Sequence, residues 1–367
     1  MNLKMVAAYF RRAYSSFATY VFDVPARLMA FLLFLLLLTY PITRPRLPLL
    51  FILTSANIMA IFAASWDLLV GRSGQISLGH ALFFGIGAYG TGMLTEYFGL
   101  SLWVTIPLSM LAGVLVALVI GYPCLRVKGP YLALVTMAFP LILTGVIFYF
   151  KDITGGESGI YGLPRFFPDL RMYDLQLAEY YLTLILLSVS GIILYKIANS
   201  KTGIVLVSIL DDELASKASG INVTKYKLLA FAISGLFATM AGSINVHLLQ
   251  SGAANMSSLT VTLSFMAVIV TIFGGLGTIY GPIAAAYILT ILDRYILQTI
   301  VEVPTEWHML IFILFIIVLI IKWPRGIARF VTDRLEDLQE ERELEERGKH
   351  IWKRYKKKEK SSPTQRE

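Results

Sequence analysis

The stretch Gly71-Arg72-Ser73-Gly74-Gln75-Ile76-Ser77-Leu78-Gly79-His80-Ala81-Leu82-Phe83-Phe84-Gly85-Ile86-Gly87-Ala88-Tyr89-Gly90-Thr91-Gly92 decides how the chain is read, because it breaks a series of long apolar runs with glycine and polar side chains. Hydrocarbon cannot hydrogen-bond a bare backbone. An irregular polar segment at membrane depth survives only where protein or a water-filled cavity surrounds it, which makes Gln75 to His80 a candidate lining for a path. Beyond it, Ala81, Gly85, Ala88 and Gly92 recur at helical spacing, a small-residue stripe that lets another helix approach closely. Packing alone also accounts for that stripe, so the sequence leaves both readings open.

Composition places these features in a membrane. Of 367 residues, 56% are hydrophobic and 15% charged, and mean hydropathy is +0.68, whereas about a quarter of residues are charged in soluble domains. The apolar runs have the roughly 20 residues a helix needs to cross about 30 Å of hydrocarbon, not the ten-residue alternation of a membrane barrel. The fold class expected is an all-α integral membrane protein. Cys124, the single cysteine, has neither a disulfide partner in the chain nor a neighbouring ligand set for a metal, and reads as packing. In so apolar a chain the net charge of +8 points to lipid surfaces and topology, not to nucleic acid.

Residues 1–27 mix Lys4, Arg11, Arg12 and Arg27 with Met5, Tyr9, Phe10, Phe17 and Tyr20, as an amphipathic interfacial segment does. Ten spans are expected in a permease domain over 28–325: Leu28–Tyr40, Pro48–Val70, Gln75–Thr95, Leu102–Gly121, Tyr131–Phe150, Tyr180–Asn199, Leu228–Leu249, Ser257–Phe273, Thr278–Gln298 and His308–Lys322. No small-residue cleavage site follows the first, so it reads as a retained span rather than a secretory signal. With both termini in the cytoplasm, twelve basic residues before the tail fall on inner segments and five on outer ones, the bias expected of that orientation. Arg44 and Arg46, on the outer side, run against it.

Divided after the fifth span, the chain gives two five-helix sets of opposite orientation, a candidate 5+5 inverted repeat. The second half has its own Gly-rich break, Phe273-Gly274-Gly275-Leu276-Gly277-Thr278-Ile279-Tyr280-Gly281-Pro282, although the two breaks do not align letter for letter. Two connections are long. The outer loop, 151–179, carries Thr154, Gly155, Gly156, Gly159, Gly162 and Pro164 and reads as turns. The inner loop, 200–227, predicts an amphipathic helix from Gly203 to Ser219, capped by Thr202 and ended by Gly220, with Leu206, Leu210 and Leu214 on one stripe and Asp211, Asp212 and Glu213 clustered beside it. The tail, 326–367, is mixed in charge and then basic from Lys353 to Lys360, a solvated end or an attraction to anionic lipid heads.

Catalytic signatures are missing: there is no phosphate loop, no His-Glu-x-x-His, no Gly-x-Ser-x-Gly, and His80, His247, His308 and His350 are dispersed. No metal site, cofactor or enzymatic activity of its own is expected. The interior is also poor in the acids an ion-coupled carrier would use, with Asp67 and Glu96 near span ends and Asp293-Arg294 a turn from an outer end. Such a chain calls for a powered partner, and an amphipathic cytoplasmic helix gives one a place to dock.

The order of four runs now matters: Gly71 to Ala81; Leu125-Arg126-Val127-Lys128-Gly129-Pro130-Tyr131-Leu132-Ala133-Leu134-Val135-Thr136; Thr154-Gly155-Gly156 through Gly162-Leu163-Pro164; and Gly220-Ile221-Asn222 before Tyr226-Lys227-Leu228. Across 28–325 these resemble the branched-chain amino acid ABC importer permeases, in the long M-type form. The resemblance implies a second, H-type permease subunit, two cytoplasmic ATPase subunits and an outer substrate-binding protein, in the plasma (inner) membrane of a prokaryote. It implies that Asp211, Asp212, Glu213, Ala215 and Gly220 belong to the ATPase-coupling loop, although Glu213 precedes Gly220 by seven positions where the general ABC permease pattern has six. Substrate is expected to pass between the two permease subunits by Gln75, Ser77, Gly79 and His80, where free amides at a helix start would favour a carboxylate and apolar neighbours a branched side chain. Thr136, Asn245 and His247 are further polar candidates, and Thr154, Gly155 and Gly156 face the outer vestibule or binding protein. A urea or short-amide permease, an ion-coupled carrier and a membrane scaffold are the competing readings.

Overall fold

A computed structural model of the chain describes residues 34–127, 129–248, 252–301, 304–323, 326–328, 330 and 334. It divides into one unit of Leu36–Ile327 and another of Met1–Leu35 with Ala328–Glu367. The expected amphipathic start, residues 28–33 of the first span and nearly all of the charged tail lie outside the described residues.

Within Leu36–Ile327 the architecture is helical. After a 3-10 turn at Tyr40–Thr43 come α1 (Leu47–Ser73), α2 (Ala81–Phe98), α3 (Leu102–Cys124), α4 (Pro130–Tyr149) and α5 (Met172–Ala198). Then follow the short α6 (Lys201–Asp211) and α7 (Glu213–Ala218), the long α8 (Val223–Leu248), α9 (Val261–Gly274), α10 (Tyr280–Thr290) continuing as a π-helical stretch Ile291–Ile300, and α11 (Thr305–Lys322). Among the described residues, six helices are long and apolar enough to cross a membrane: α1, α3, α4, α5, α8, and α10 with its π-helical extension. Phe34–Thr43, α9 and Leu310–Lys322 are apolar but shorter. The long α1 has 27 residues, about 40 Å at 1.5 Å per residue.

Solvent preference is inverted relative to a soluble protein. Thr54, Asn57, Ser65, Asp67, His80, Ser234 and Ser243 are buried, while Leu111, Leu115, Val119, Leu134, Leu141, Ile142 and Phe148 are exposed on α3 and α4. That distribution suits a hydrocarbon surround, because lipid tails accept leucine and penalise an unsatisfied hydroxyl. Helices α1 and α8 are the most enclosed spans and form the centre, with α2, α3, α5, α9 and α10 around them. Small residues set their closeness: a Cβ on Gly87 would stand 2.0 Å from the Thr239 carbonyl oxygen, and one on Gly242 would stand 1.9 Å from that of Phe84. The α2–α8 contact therefore brings backbone against backbone.

Several expected boundaries move. The third span was expected from Gln75, yet helix begins only at Ala81, because Gly74 ends α1 in the left-handed region (φ 69°). The eighth starts at Val261 instead of Ser257, after a 3-10 turn at Met256–Leu259. Helix α5 begins at Met172, inside what was expected to be loop. The inner helix is two helices, not one. Asp212 is extended (φ −151°, ψ 105°), and its carboxylate accepts from the Leu214 and Ala215 amides at 2.8 and 3.0 Å. A cap that satisfies two amides outcompetes continuation of the helix. Thr202 therefore lies inside α6, whose N-cap is Ser200.

Candidate functional site at the two helix breaks

The first break, residues 74–80, is irregular and its burial alternates: Gln75, Ser77 and Gly79 are buried, while Gly74 and Ile76 are exposed and Leu78 is half-buried. Each inward group is anchored. Gln75 Nε2 donates to Ser73 Oγ at 2.8 Å and to the Lys227 carbonyl at 3.2 Å. The Ser77 carbonyl accepts from Trp66 Nε1 at 2.7 Å. His80 Nε2 pairs with Ser65 Oγ at 2.9 Å, its ring tilted on Phe62 at a centroid distance of 4.8 Å. Gly79 backs onto α4 so closely that a Cβ would meet the Thr136 carbonyl oxygen at 2.0 Å.

Thr136 itself holds the segment, accepting the Leu78 amide at 3.0 Å while donating to Ala133. The amides expected to be free at the helix start are occupied. That of Ala81 donates to Ser264 Oγ at 2.9 Å, that of Leu82 to the Gly79 carbonyl at 3.0 Å and that of Phe83 to His80 at 3.1 Å. Backbone donors at the start of α2 are thus satisfied by the chain, and the side that the break presents outward is apolar, with Ile76 43% exposed.

The second break, residues 275–279, packs directly on the end of α1. A Cβ on Gly71 would lie 2.3 Å from the Gly277 nitrogen. Asp67, fully buried, accepts the Gly277 amide through Oδ1 at 2.6 Å and the Ile279 amide through Oδ2 at 2.8 Å. It thereby holds Ile279 at φ 60°, a region a β-branched residue enters at a cost of about 1–3 kcal/mol. Sequence reasoning set Asp67 aside as a residue near a span end. The signal was a carboxylate within an apolar run, which by default marks a function.

The 200–227 connection is joined to the first break. Gly74 lies against Leu210, with a Cβ there only 2.6 Å from the leucine Cδ1. Glu213 pairs with Lys217 at 2.7 Å on its own helix and with Lys227 at 2.9 Å on α8, and the carbonyl of Lys227 is the one Gln75 holds. Of the stripe read from sequence, Leu206 is buried, whereas Leu210 and Leu214 are exposed, Leu214 by 72%. Asp211, Asp212, Ala215 and Gly220 are exposed beside them.

At the opposite end of α1 and α5, the loop residues are structural neighbours of α8. Thr154 Oγ1 donates to the Ile147 carbonyl at 2.7 Å and accepts the Gly156 amide at 3.2 Å. Gly155 turns at φ 75°, with no room for a Cβ against the Gly159 carbonyl. Ile160 and Ala254 form an antiparallel bridge, and Leu163 donates to Gly252 at 3.0 Å. Arg165 then pairs with the buried Glu179 at 3.1 Å and donates to the Leu248 carbonyl at 3.1 Å, while His247 Nδ1 meets the Pro164 carbonyl at 2.9 Å. His247 is thus a packing contact of this loop. A cavity of about 500 Å³ nearby is lined by Pro41, Ile42, Arg44, Tyr173, Asp174, Leu177 and Tyr181, none of them singled out for the path. Among the described residues no cluster of His, Cys, Asp and Glu has the makings of a metal site.

Polar breaks buried in a bundle of long apolar helices, each satisfied by its own neighbours, define the class as a polytopic helical membrane protein. The pattern of the family described as "Branched-chain amino acid transport system / permease component" matches residues 49–320. The high-affinity branched-chain amino acid transport system permease protein LivM of Salmonella typhimurium is 27% identical over 308 residues, covering 78% of this chain and 71% of that one. LivM of Escherichia coli strain K12 is 27% identical over 312 residues with the same shares. The probable branched-chain amino acid transport permease protein LivH of Methanocaldococcus jannaschii is 27% identical over 222 residues, 58% of this chain and 68% of that one. No solved structure matches. The chain belongs to the family of permease components of branched-chain amino acid transport systems, and it is a multi-pass protein of the plasma (inner) membrane.

Proposed function

We propose that the chain is the M-type membrane subunit of an ABC importer that moves branched-chain or related amino acids into the cell. Separate ATPase subunits supply the energy. In this reading the permease domain is 28–325 with ten spans in a 5+5 inverted repeat, the segment 1–27 and the tail 326–367 are cytoplasmic, and the tail's basic end attracts anionic lipid. The partners are an H-type permease, two cytoplasmic ATPases on α6–α7, and an outer binding protein facing the 151–179 loop. Substrate passes between the permease subunits along the 74–80 break, with Gln75, Ser77, Gly79, His80 and Thr136 fixing the wall and Ile76 and Leu78 presenting an apolar face to a branched side chain.

The observation that carries this reading is the pairing of an exposed apolar docking surface, Leu210 and Leu214, with a direct contact from Leu210 to Gly74 at the break. A receptor for an external motor needs both. The test is reconstitution in vesicles with the H-type subunit, the ATPases and the binding protein. Uptake of labelled leucine, isoleucine or valine that requires ATP is expected. Accumulation by the chain alone on a sodium or proton gradient would overturn it, and preference for urea or short amides would reassign the substrate.

A further inference from the structure

Satisfied and unsatisfied groups are unevenly distributed around the first break. Arg72 Nε, Gln75 Oε1 and His80 Nδ1 are buried there without a hydrogen-bond partner. A buried polar atom left unpaired raises the free energy of the arrangement that leaves it so, and it calls for a reason. Three such atoms lie within one short segment, Arg72 to His80. Gln75 is the pivot, because its Nε2 is engaged while its Oε1 is not.

We infer that Glu213, Lys227 and Gln75 form a strut through which the position of α6–α7 sets the conformation of the 74–80 break, and that Asp67 passes the same displacement to the 275–279 break. The links are all direct. Glu213 on α7 holds Lys227 on α8 through a largely buried ion pair at 2.9 Å, with side chains 20% and 16% exposed. The Lys227 carbonyl holds Gln75 at 3.2 Å, and Leu210 bears on Gly74 beside it. From Gly71, one helical turn beyond Asp67 and in backbone contact with Gly277, the connection reaches the second break. Coupling between distant sites needs an element with two discrete arrangements that both sites bias. In this inference the 74–80 break is that element, and Glu213, Lys227 and Gln75 are positioning residues that act through it.

The inference rests on the proposed function, and the experiment separates the two. The assembled transporter in vesicles is assayed for ATP hydrolysis and labelled uptake in the same preparation, as wild type and as Q75A, K227M, E213Q, the double E213Q/K227M and the conservative K227R. Expected is a roughly tenfold rise in ATP consumed per substrate for the single variants, within the usual range of coupling energies. The double should be no worse than either single, as for two residues of one connection. K227R should keep the wild-type ratio. Q75A and K227M at the wild-type ratio, or uptake and hydrolysis falling in step, would overturn the strut; K227R, which keeps the charge, shows whether a loss of K227M reflects assembly. A wild-type complex without ATP-driven uptake would instead defeat the functional reading itself.

Discussion

Asp67 and Gly277, 210 positions apart, meet across the bundle: the carboxylate accepts the glycine amide at 2.6 Å and reaches on to the amide of Ile279 at 2.8 Å. One side chain on α1 therefore satisfies two backbone donors of a break that lies between α9 and α10. Asp67→Asn offers one acceptor where two are needed. We expect a loss of about 1–3 kcal/mol, the usual effect of leaving a buried donor unpaired. Thermal unfolding of the purified protein in detergent measures it, and an unchanged midpoint would remove Asp67 from this role.

Close helix packing predicts a contrast between glycines. Gly242→Ala on α8 drives a methyl into the Phe84 carbonyl and is expected to cost about 1–3 kcal/mol or more as overpacking. Gly145→Ala on α4 meets nothing within 4 Å and lies on an exposed face. It should be neutral or stabilise by about 0.5–1 kcal/mol through helix propensity. Both are read from the same unfolding curve.

The ion pair of the outer loop makes a further prediction. Arg165→Ala strands the buried Glu179 without its cation and is expected to destabilise by about 2–4 kcal/mol, kept at the low end because Arg165 is 30% exposed. Replacing Glu179 with Gln in the same background should recover part of that loss, since the orphaned charge is what costs most. Protease sensitivity of the 155–171 loop, alongside the melting temperature, distinguishes a released loop from a general loss of fold.

If ATPases dock on α6–α7 as proposed, the exposed Leu214 should separate binding from stability. Leu214→Glu changes a side chain that is 72% exposed. Chain stability should stay within about 0.5 kcal/mol. Association with the ATPase subunits should weaken by roughly tenfold or more, as for an apolar anchor at an interface centre. Co-purification and titration with the ATPases test it, and full-strength binding would move the docking surface elsewhere.

Several features were legible before any coordinates. Glycines and polar residues inserted in apolar runs marked both breaks, because regular helix there would waste turn-forming residues and bury unpaired polar ones. Ten spans were expected from run length and hydropathy; among the described residues six helices have the length and apolarity to cross a membrane. The course of residues 200–227 was read less well: periodicity ran straight through Asp212, since a capping carboxylate looks the same in sequence whether it starts a helix or decorates one. The amides at the start of α2 were expected to be free. They are closed by Ser264, a partner 183 positions away that no local pattern announces.

By itself, then, the order of residues determined a membrane-embedded helical bundle, two irregular segments between its apolar runs and an amphipathic connection over 200–227, because each depends on composition and spacing within one turn or one span. Tertiary structure alone decided that the two irregular segments touch, that Asp67 caps one from the helix preceding the other, and that Lys227 ties the inner connection to Gln75. These contacts use backbone carbonyls and amides, which every residue carries alike, so their pairing is set by how whole helices pack and leaves no mark in the letters.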